Sequence, residues 1–191
     1  MKYVVVLAWL LVALHARAEQ GVAVFAGGCF WCTESDFDKV PGVLSTTSGY
    51  IGGELRSPRY EQVARGGTGH IEAVRVVYDP TITSYLALLD AFWLTIDPLD
   101  AGGQFCDRGY HYRSAIFYLD DSQRAQAVAS MTSLASSGRL NGEIVTLLLP
   151  AGEFWPAEEY HQDYAARNPV RYRYYRSRCG RDRRLSELWG D

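Results

Sequence analysis

Two cysteines, Cys29 and Cys32, stand three residues apart in Gly27-Gly28-Cys29-Phe30-Trp31-Cys32. Such a pair is either half of a metal site or a redox couple. A structural zinc site needs a second cysteine pair or a histidine pair. Here Cys106 and Cys179 are single and far apart, and no two histidines are spaced as ligands. The redox reading fits better, because an i, i+3 spacing brings two sulfurs within bonding reach. The apolar run Gly21 to Ala26 reads as a short buried strand leading into the pair, and Thr33 to Asp38 as the opening of a helix. Cys29 is therefore expected at a strand-to-helix turn, its sulfur among free backbone N–H groups that favour a thiolate, the nucleophilic form. Gly27 and Gly28 permit close approach, and Phe30 and Trp31 supply apolar walls.

Other candidates are weaker on their own. Glu72 lies near the start of a strand after Gly66-Gly67-Thr68-Gly69, where an ordinary outward-facing carboxylate would fit equally well. Gln104 to Ser114 is dense in polar and aromatic groups, and loops of that kind beside a buried strand often carry sites. His70, His111 and His161 fall in or near such loops, where a lone histidine is commonly structural.

The elements that must hold these residues follow from periodicity and breakers. Strands are predicted over 21–26, 44–50, 70–78, 113–119 and 144–149. Helices are predicted from the Cys29 turn to about Lys39, over 60–65, 84–95 and 120–136 (Asp121 or Ser122 as N-cap), and over 158–168 with Pro169 as terminator. Residues 51–60 and 98–109 read as loops. This alternation implies an α+β layered domain, a ferredoxin-like two-layer sandwich with a mixed sheet and long irregular loops.

Met1-Lys2, the apolar Tyr3 to Leu14 and Ala16-Arg17-Ala18 have the form of a cleaved export signal over 1–18, too short to span a membrane comfortably. The expected mature protein, 19–191, is one exported, periplasmic domain. Without Lys2 and Arg17, seventeen basic side chains face twenty-two acidic ones, a net charge of −5 that argues against a nucleic-acid binder. The eight arginines between Arg167 and Arg184 read as a solvated tail rather than a docking surface. A domain of this size needs no disulfide staples, so redox chemistry outweighs structural bonding for Cys29 and Cys32.

Taken together, Gly28-Cys29-Phe30-Trp31, Thr68-Gly69-His70-Ile71-Glu72-Ala73-Val74, Asp107-Arg108-Gly109 with Tyr112-Arg113-Ser114, and Tyr160-His161-Gln162-Asp163-Tyr164 with Asn168-Pro169 resemble the A-type peptide-methionine sulfoxide reductases over about residues 22–170. The resemblance implies that Cys29 attacks the sulfur of methionine-S-sulfoxide, free or in proteins. It implies that Glu72 protonates the sulfoxide oxygen, with Tyr60 and Tyr112 as hydroxyl donors and Asp107 in support. Phe30 and Trp31 would hold the S-methyl group, Tyr164 would lie near, and His111 would stand where many relatives have glutamine. A sulfenic acid on Cys29 would be resolved by a second cysteine and recycled by a thioredoxin-like dithiol, with no cofactor and no metal. Relatives often carry the resolving cysteine on a glycine-rich arm after Asn-Pro, which Val170 to Arg178 replaces here. Cys32 is favoured over Cys179 as the resolving thiol, and Cys106 is expected to be a buried spectator. The rivals are a papain-like hydrolase, with His161 or His111 activating Cys29, and a thioredoxin-type exchanger. The simplest assembly is a monomer.

Overall fold

The computed structural model describes residues 20–190; the expected export signal over 1–18 lies outside them. In chain order the elements are β1 (Gly21–Gly27), α1 (Phe30–Phe37), β2 (Val43–Ile51), α2 (Tyr60–Ala64), β3 (Ile71–Tyr78), α3 (Tyr85–Leu94) and the two-residue strands β4 (Gly103–Gln104) and β5 (Asp107–Arg108). Then come β6 (Ser114–Tyr118), α4 (Asp121–Ser136), β7 (Leu147–Pro150), β8 (Trp155–Pro156), α5 (Tyr164–Arg167), α6 (Pro169–Cys179) and α7 (Arg181–Trp189).

The main sheet runs β7-β6-β1-β3-β2-β8. Its four central strands, β6-β1-β3-β2, are all antiparallel, in the order of a ferredoxin-like sandwich, and β7 joins in parallel. The sheet is mixed and carries its helices in layers, as the sequence implies.

Strand alternation sorts the core. Ala23, Phe25, Val74, Val76 and Ile116 face Phe37, Leu88, Leu89 and Phe92 from the helices, with Phe25 stacked 5.0 Å from both Phe37 and Phe92. Val24, Ala26, Ile71, Ala73 and Phe117 face the other way, against Leu147, Leu149 and Phe154. Phe25 is wholly buried, and removing such a ring costs about 3–5 kcal/mol. β1 is thus buried on both faces, which is why it reads as a continuous apolar run.

Several boundaries depart from the sequence reading. The first helix starts at Phe30, with Cys29 itself in the N-cap position, so Glu34 and Asp36 fall in its second turn rather than its first. α4 is capped by Asp120, whose carboxylate accepts from the Gln123 amide at 2.8 Å, one residue before the expected cap. The strand expected over 144–149 is displaced to Leu147–Pro150.

The largest departure is C-terminal. Residues 158–168 are not one helix but a 3-10 turn (Glu159–His161) and the short α5, and Pro169 opens α6 instead of ending a helix. Proline at the first helical position gives up no hydrogen bond. The arginine-rich stretch is not a solvated tail. Tyr172 and Arg181 are buried, Arg176 pairs with Asp36 at 2.8 Å, and Arg184 with Asp97 at 2.8 Å. Arginine and tyrosine stems here take the place of aliphatic side chains, so α6 carries no apolar periodicity and α7 only a short apolar stripe that includes Leu185 and Trp189.

Candidate active site

Gly28 makes the turn that presents Cys29. Its φ of +84° belongs to the left-handed region, and a Cβ there would lie 2.6 Å from the Gln104 Cβ. Cys29 then caps α1 by its carbonyl, accepting from Cys32 N at 3.0 Å and Thr33 N at 3.3 Å. The first amide of α1 is left free of the helix ladder, and Phe30 N donates to Glu72 Oε2 at 3.0 Å. One contact thus fixes the cysteine turn to the middle of the sheet, since Glu72 pairs with Tyr50 in the β2–β3 register.

A cavity of about 110 Å³ lies between them, lined by Cys29, Phe30, Trp31, Tyr60, Glu72, Asp107, Tyr112 and Tyr175. That is the liquid volume of about four waters, enough for a small polar head group with a methyl. A larger groove of about 520 Å³, lined by residues such as Leu86, Trp93, Leu134 and Trp189, has no cysteine and lies away from this cluster.

The carboxyl is buried, 1% exposed, and desolvation raises its pKa to about 8, against the opposing hydrogen bond from Phe30 N. Glu72 is therefore mostly a neutral acid at pH 7. Its Oε2 is taken by Phe30 N, which leaves the other oxygen to carry the proton. Tyr60 and Tyr112 are neighbours on the cavity wall, and burial raises both phenols, so both keep their protons as donors. Glu158 accepts from Tyr60 N and from the Tyr50 hydroxyl, each at 2.9 Å, and so sets where Tyr60 stands.

The thiols divide unequally. Burial pushes the Cys29 thiol up, assisted by Cys32 and Glu72, so the resting pocket does not hold Cys29 as the thiolate that its place at a helix start suggests. Cys32 is lowered to about 7, first by a hydrogen bond from Cys29 and then, against its own burial, by Arg181 and Arg176. Both remain free thiols.

Cys106 is not buried as expected. It is exposed and bonded to Cys179, which ties the β4–β5 ribbon to the end of α6. The bond brings Tyr175 over the cavity, where its hydroxyl donates to Asp107 Oδ2 at 2.5 Å and neighbours the Cys29 sulfur.

The structure thus gathers Cys29, Phe30, Trp31, Tyr60, Glu72, Asp107 and Tyr112 around one cavity, with Cys32 directly behind. Tyr164 lies one layer out, stacked on Trp31 with ring centres 3.7 Å apart. His111 packs on Tyr112 outside the cavity lining, so it stands beside the site and not in it. His161 accepts from Trp31 Nε1 through Nδ1 at 3.0 Å, and His70 accepts from Gly53 N and bonds Leu55 O. Neither is paired with Cys29, and among the described residues Cys29 has no imidazole partner such as a papain-like hydrolase requires. Tyr175 and Glu158 escape the sequence reading, Tyr175 because it stands in a run resembling a tail, Glu158 because its partners are distant in the chain. Cys106, Asp107 and Cys179 also have ligand atoms within 4.8 Å, but the two sulfurs are bonded to each other.

A thiol pair at a helix start, facing an uncharged carboxyl and two phenols across a small cavity, can take oxygen from a bound substrate and store the oxidation as a disulfide. Fold and site together define a thiol-dependent oxidoreductase. Residues 21–191 match the family model described as peptide methionine sulfoxide reductase, and the chain belongs to that family, in its A-type branch. It is 52% identical over 179 residues to peptide methionine sulfoxide reductase MsrA 2 of Rhizobium meliloti, covering 93% of this chain and 88% of that one. Among solved structures it resembles reduced Mxr1 of Saccharomyces cerevisiae, at a TM-score of 0.75 and 29% identity, covering 80% of this chain and 88% of that one. Mxr1 in complex with Trx2 aligns at a TM-score of 0.55 and 22% identity, covering 78% and 87%.

Proposed function

We propose that the protein reduces methionine-S-sulfoxide, free and in proteins, as oxidative-damage repair, with Cys29 as nucleophile and Glu72 as acid. The observation that carries this is the neutral, buried Glu72 across the cavity from the Cys29 sulfur. The sulfoxide sulfur meets Cys29, its oxygen meets Glu72 and the Tyr60 and Tyr112 hydroxyls, and its methyl group lies against Phe30 and Trp31. Oxygen transfer leaves methionine and a sulfenic acid on Cys29. Asp107 and Tyr175 hold the rim of the cavity beside the sulfur.

Cys32 is the resolving thiol. Its sulfur attacks the Cys29 sulfur, the S–O bond breaks, and the oxygen leaves as water with the protons of the two groups. Cys179 supports this assignment by being occupied with Cys106 in the resting protein. The Cys29–Cys32 bond forms 6% and 2% exposed, whereas Cys106 is at the surface, so the exposed pair is suited to pass electrons inward from a thioredoxin-like dithiol, a partner with which Mxr1 has been solved. No prosthetic group is required by this chemistry. The leader-like first eighteen residues support an exported enzyme, working in the periplasm on damaged proteins. Among the described residues no helix is long and apolar enough to cross a membrane.

The test offers purified protein and a dithiol the S and R forms of methionine sulfoxide. Consumption of the S form alone, lost in Cys29→Ser, is expected. Insulin reduction without sulfoxide turnover would point to the thioredoxin-type exchanger instead.

A further inference from the structure

Arg181 is the largest fully buried side chain in the described residues, 1% exposed, and it is anchored to the cysteine turn from 154 residues away. Both guanidinium NH2 groups donate to Gly27 O at 3.1 Å, one also to Thr95 O at 2.8 Å, and the group lies 4.6 Å over the Phe105 ring. Its Nε–H is buried without a hydrogen-bond partner, 3.8 Å from Asp36 Oδ2. Asp36 is four residues beyond Cys32, so the two share one face of α1. Arg176 caps the same face, with bonds of 2.8 and 3.0 Å to Asp36.

The charges on this face do not balance. Arg176 and Arg181 both bear on Asp36. The second carboxylate on Arg176, Asp182, is 65% exposed and screened by water. A buried cation without a full partner is costly, and an anion beside it is favoured. The other groups that bear on Cys32 are Cys29, Glu72 and Tyr172; all three are held neutral by burial, while Asp107 shares the field of Arg181 from the β4–β5 side.

We infer that Arg181, with Arg176, is the positioning residue that selects Cys32 as the resolving thiol by bringing buried positive charge to the face of α1 that carries Cys32 and Asp36. This rests on the reading that Cys32 resolves the Cys29 sulfenic acid. It gives the C-terminal helices a role in the reaction. α7 delivers the charge, α6 adds the second, and the Cys106–Cys179 bond immediately before Arg181 holds the delivery point.

The resting protein has two free thiols, so thiolate absorbance near 240 nm against pH reads this pair alone. Arg181→Met is expected to move the first thiol ionisation upward from about pH 7 toward the ordinary cysteine range near 8.5. Disulfide formation after one sulfoxide turnover at pH 7 then slows about tenfold, as the thiolate fraction falls, and a 1,3-diketone probe traps sulfenic acid that wild type does not accumulate. Arg181→Lys, which keeps the charge, restores most of both. A purely structural anchor would lower the melting temperature in both variants and leave the ionisation in place, which overturns the inference. Should Arg181→Met fail to fold, Arg176→Gln shifts the ionisation upward by less and Asp36→Asn shifts it downward; no shift in either also overturns it. The two readings separate cleanly. An unmoved ionisation with a Cys29–Cys32 bond still forming defeats only the role of Arg181, whereas a Cys29–Cys179 bond in wild type defeats the assignment of Cys32 on which it rests.

Discussion

Replacing Glu72 by glutamine should destroy the activity and stabilise the protein. In the fold the carboxyl ionises near pH 8, against 4.5 for an unperturbed glutamate. The unfolded chain therefore releases this proton first, and between those pH values stability falls as pH rises. The cost of keeping the acid in the fold is near 1 kcal/mol at pH 5 and grows to about 3 kcal/mol at pH 7. The glutamine side chain would have no proton to lose, and its carbonyl can still accept from Phe30 N. The fixed cost of burying the extra amide cancels when the two pH values are compared, so the decisive quantity is a difference of about 2.5 kcal/mol. Urea unfolding of wild type and Glu72→Gln, fitted at pH 5 and pH 7 with a common slope, measures it. The variant should gain on wild type by that amount between the two pH values, while sulfoxide turnover drops by about 10²–10⁴-fold for loss of a general acid. A stability gap that does not change with pH, or a variant that still turns over at the wild-type rate, would refute a protonated Glu72.

Three further outcomes follow from the same geometry. The sulfoxide kcat/KM of wild type should fall as pH rises through about 8, where Glu72 loses its proton, and stopped-flow profiles should show no such limb in the residual activity of Glu72→Gln. Cys32→Ser should release one methionine per enzyme and then stop with dithiol present, whereas Cys29→Ser releases none, as amino-acid analysis of quenched mixtures would show. Cys106→Ser opens a loop of 73 residues, a loss of about 4 kcal/mol on chain-entropy grounds; calorimetry should show a lowered melting temperature, and hydrogen exchange should rise first in α6 and α7.

Much of the fold was legible because the sheet obeys period two and its helices obey their caps. β1, β3, α3 and α4 lie within a residue or two of where alternation, Ser84 or the Asp120–Ser122 segment place them. The reactive turn was legible for a different reason: glycines, a cysteine and aromatic residues adjoin in sequence. Glu72, Tyr60, Asp107 and Tyr112, which meet that turn only in space, were legible through the family's motifs and not through spacing; Tyr175, Glu158 and Arg181, which fall in no such motif, were not. Tyr175 and Arg181 reach the site through packing of charged and aromatic stems; no hydrophobic period marks α6, and α7 has only a short apolar stripe, including Leu185 and Trp189, among charged residues. Cys106 and Cys179 meet across 73 residues, a pairing that sequence separation conceals. The charge state of Cys29 was misread because the helix-terminus field was weighed without the burial that opposes it.

The central claim is that Cys29 takes the sulfoxide oxygen and Cys32 closes the first disulfide. One equivalent of methionine-S-sulfoxide added to the protein without reductant, followed by alkylation and peptide mapping by mass spectrometry, tests it most directly. The expected product is one methionine per chain, a new Cys29–Cys32 bond and an intact Cys106–Cys179 bond. Methionine formed with Cys29 still alkylatable, or a Cys29–Cys179 bond with Cys32 free, would contradict it.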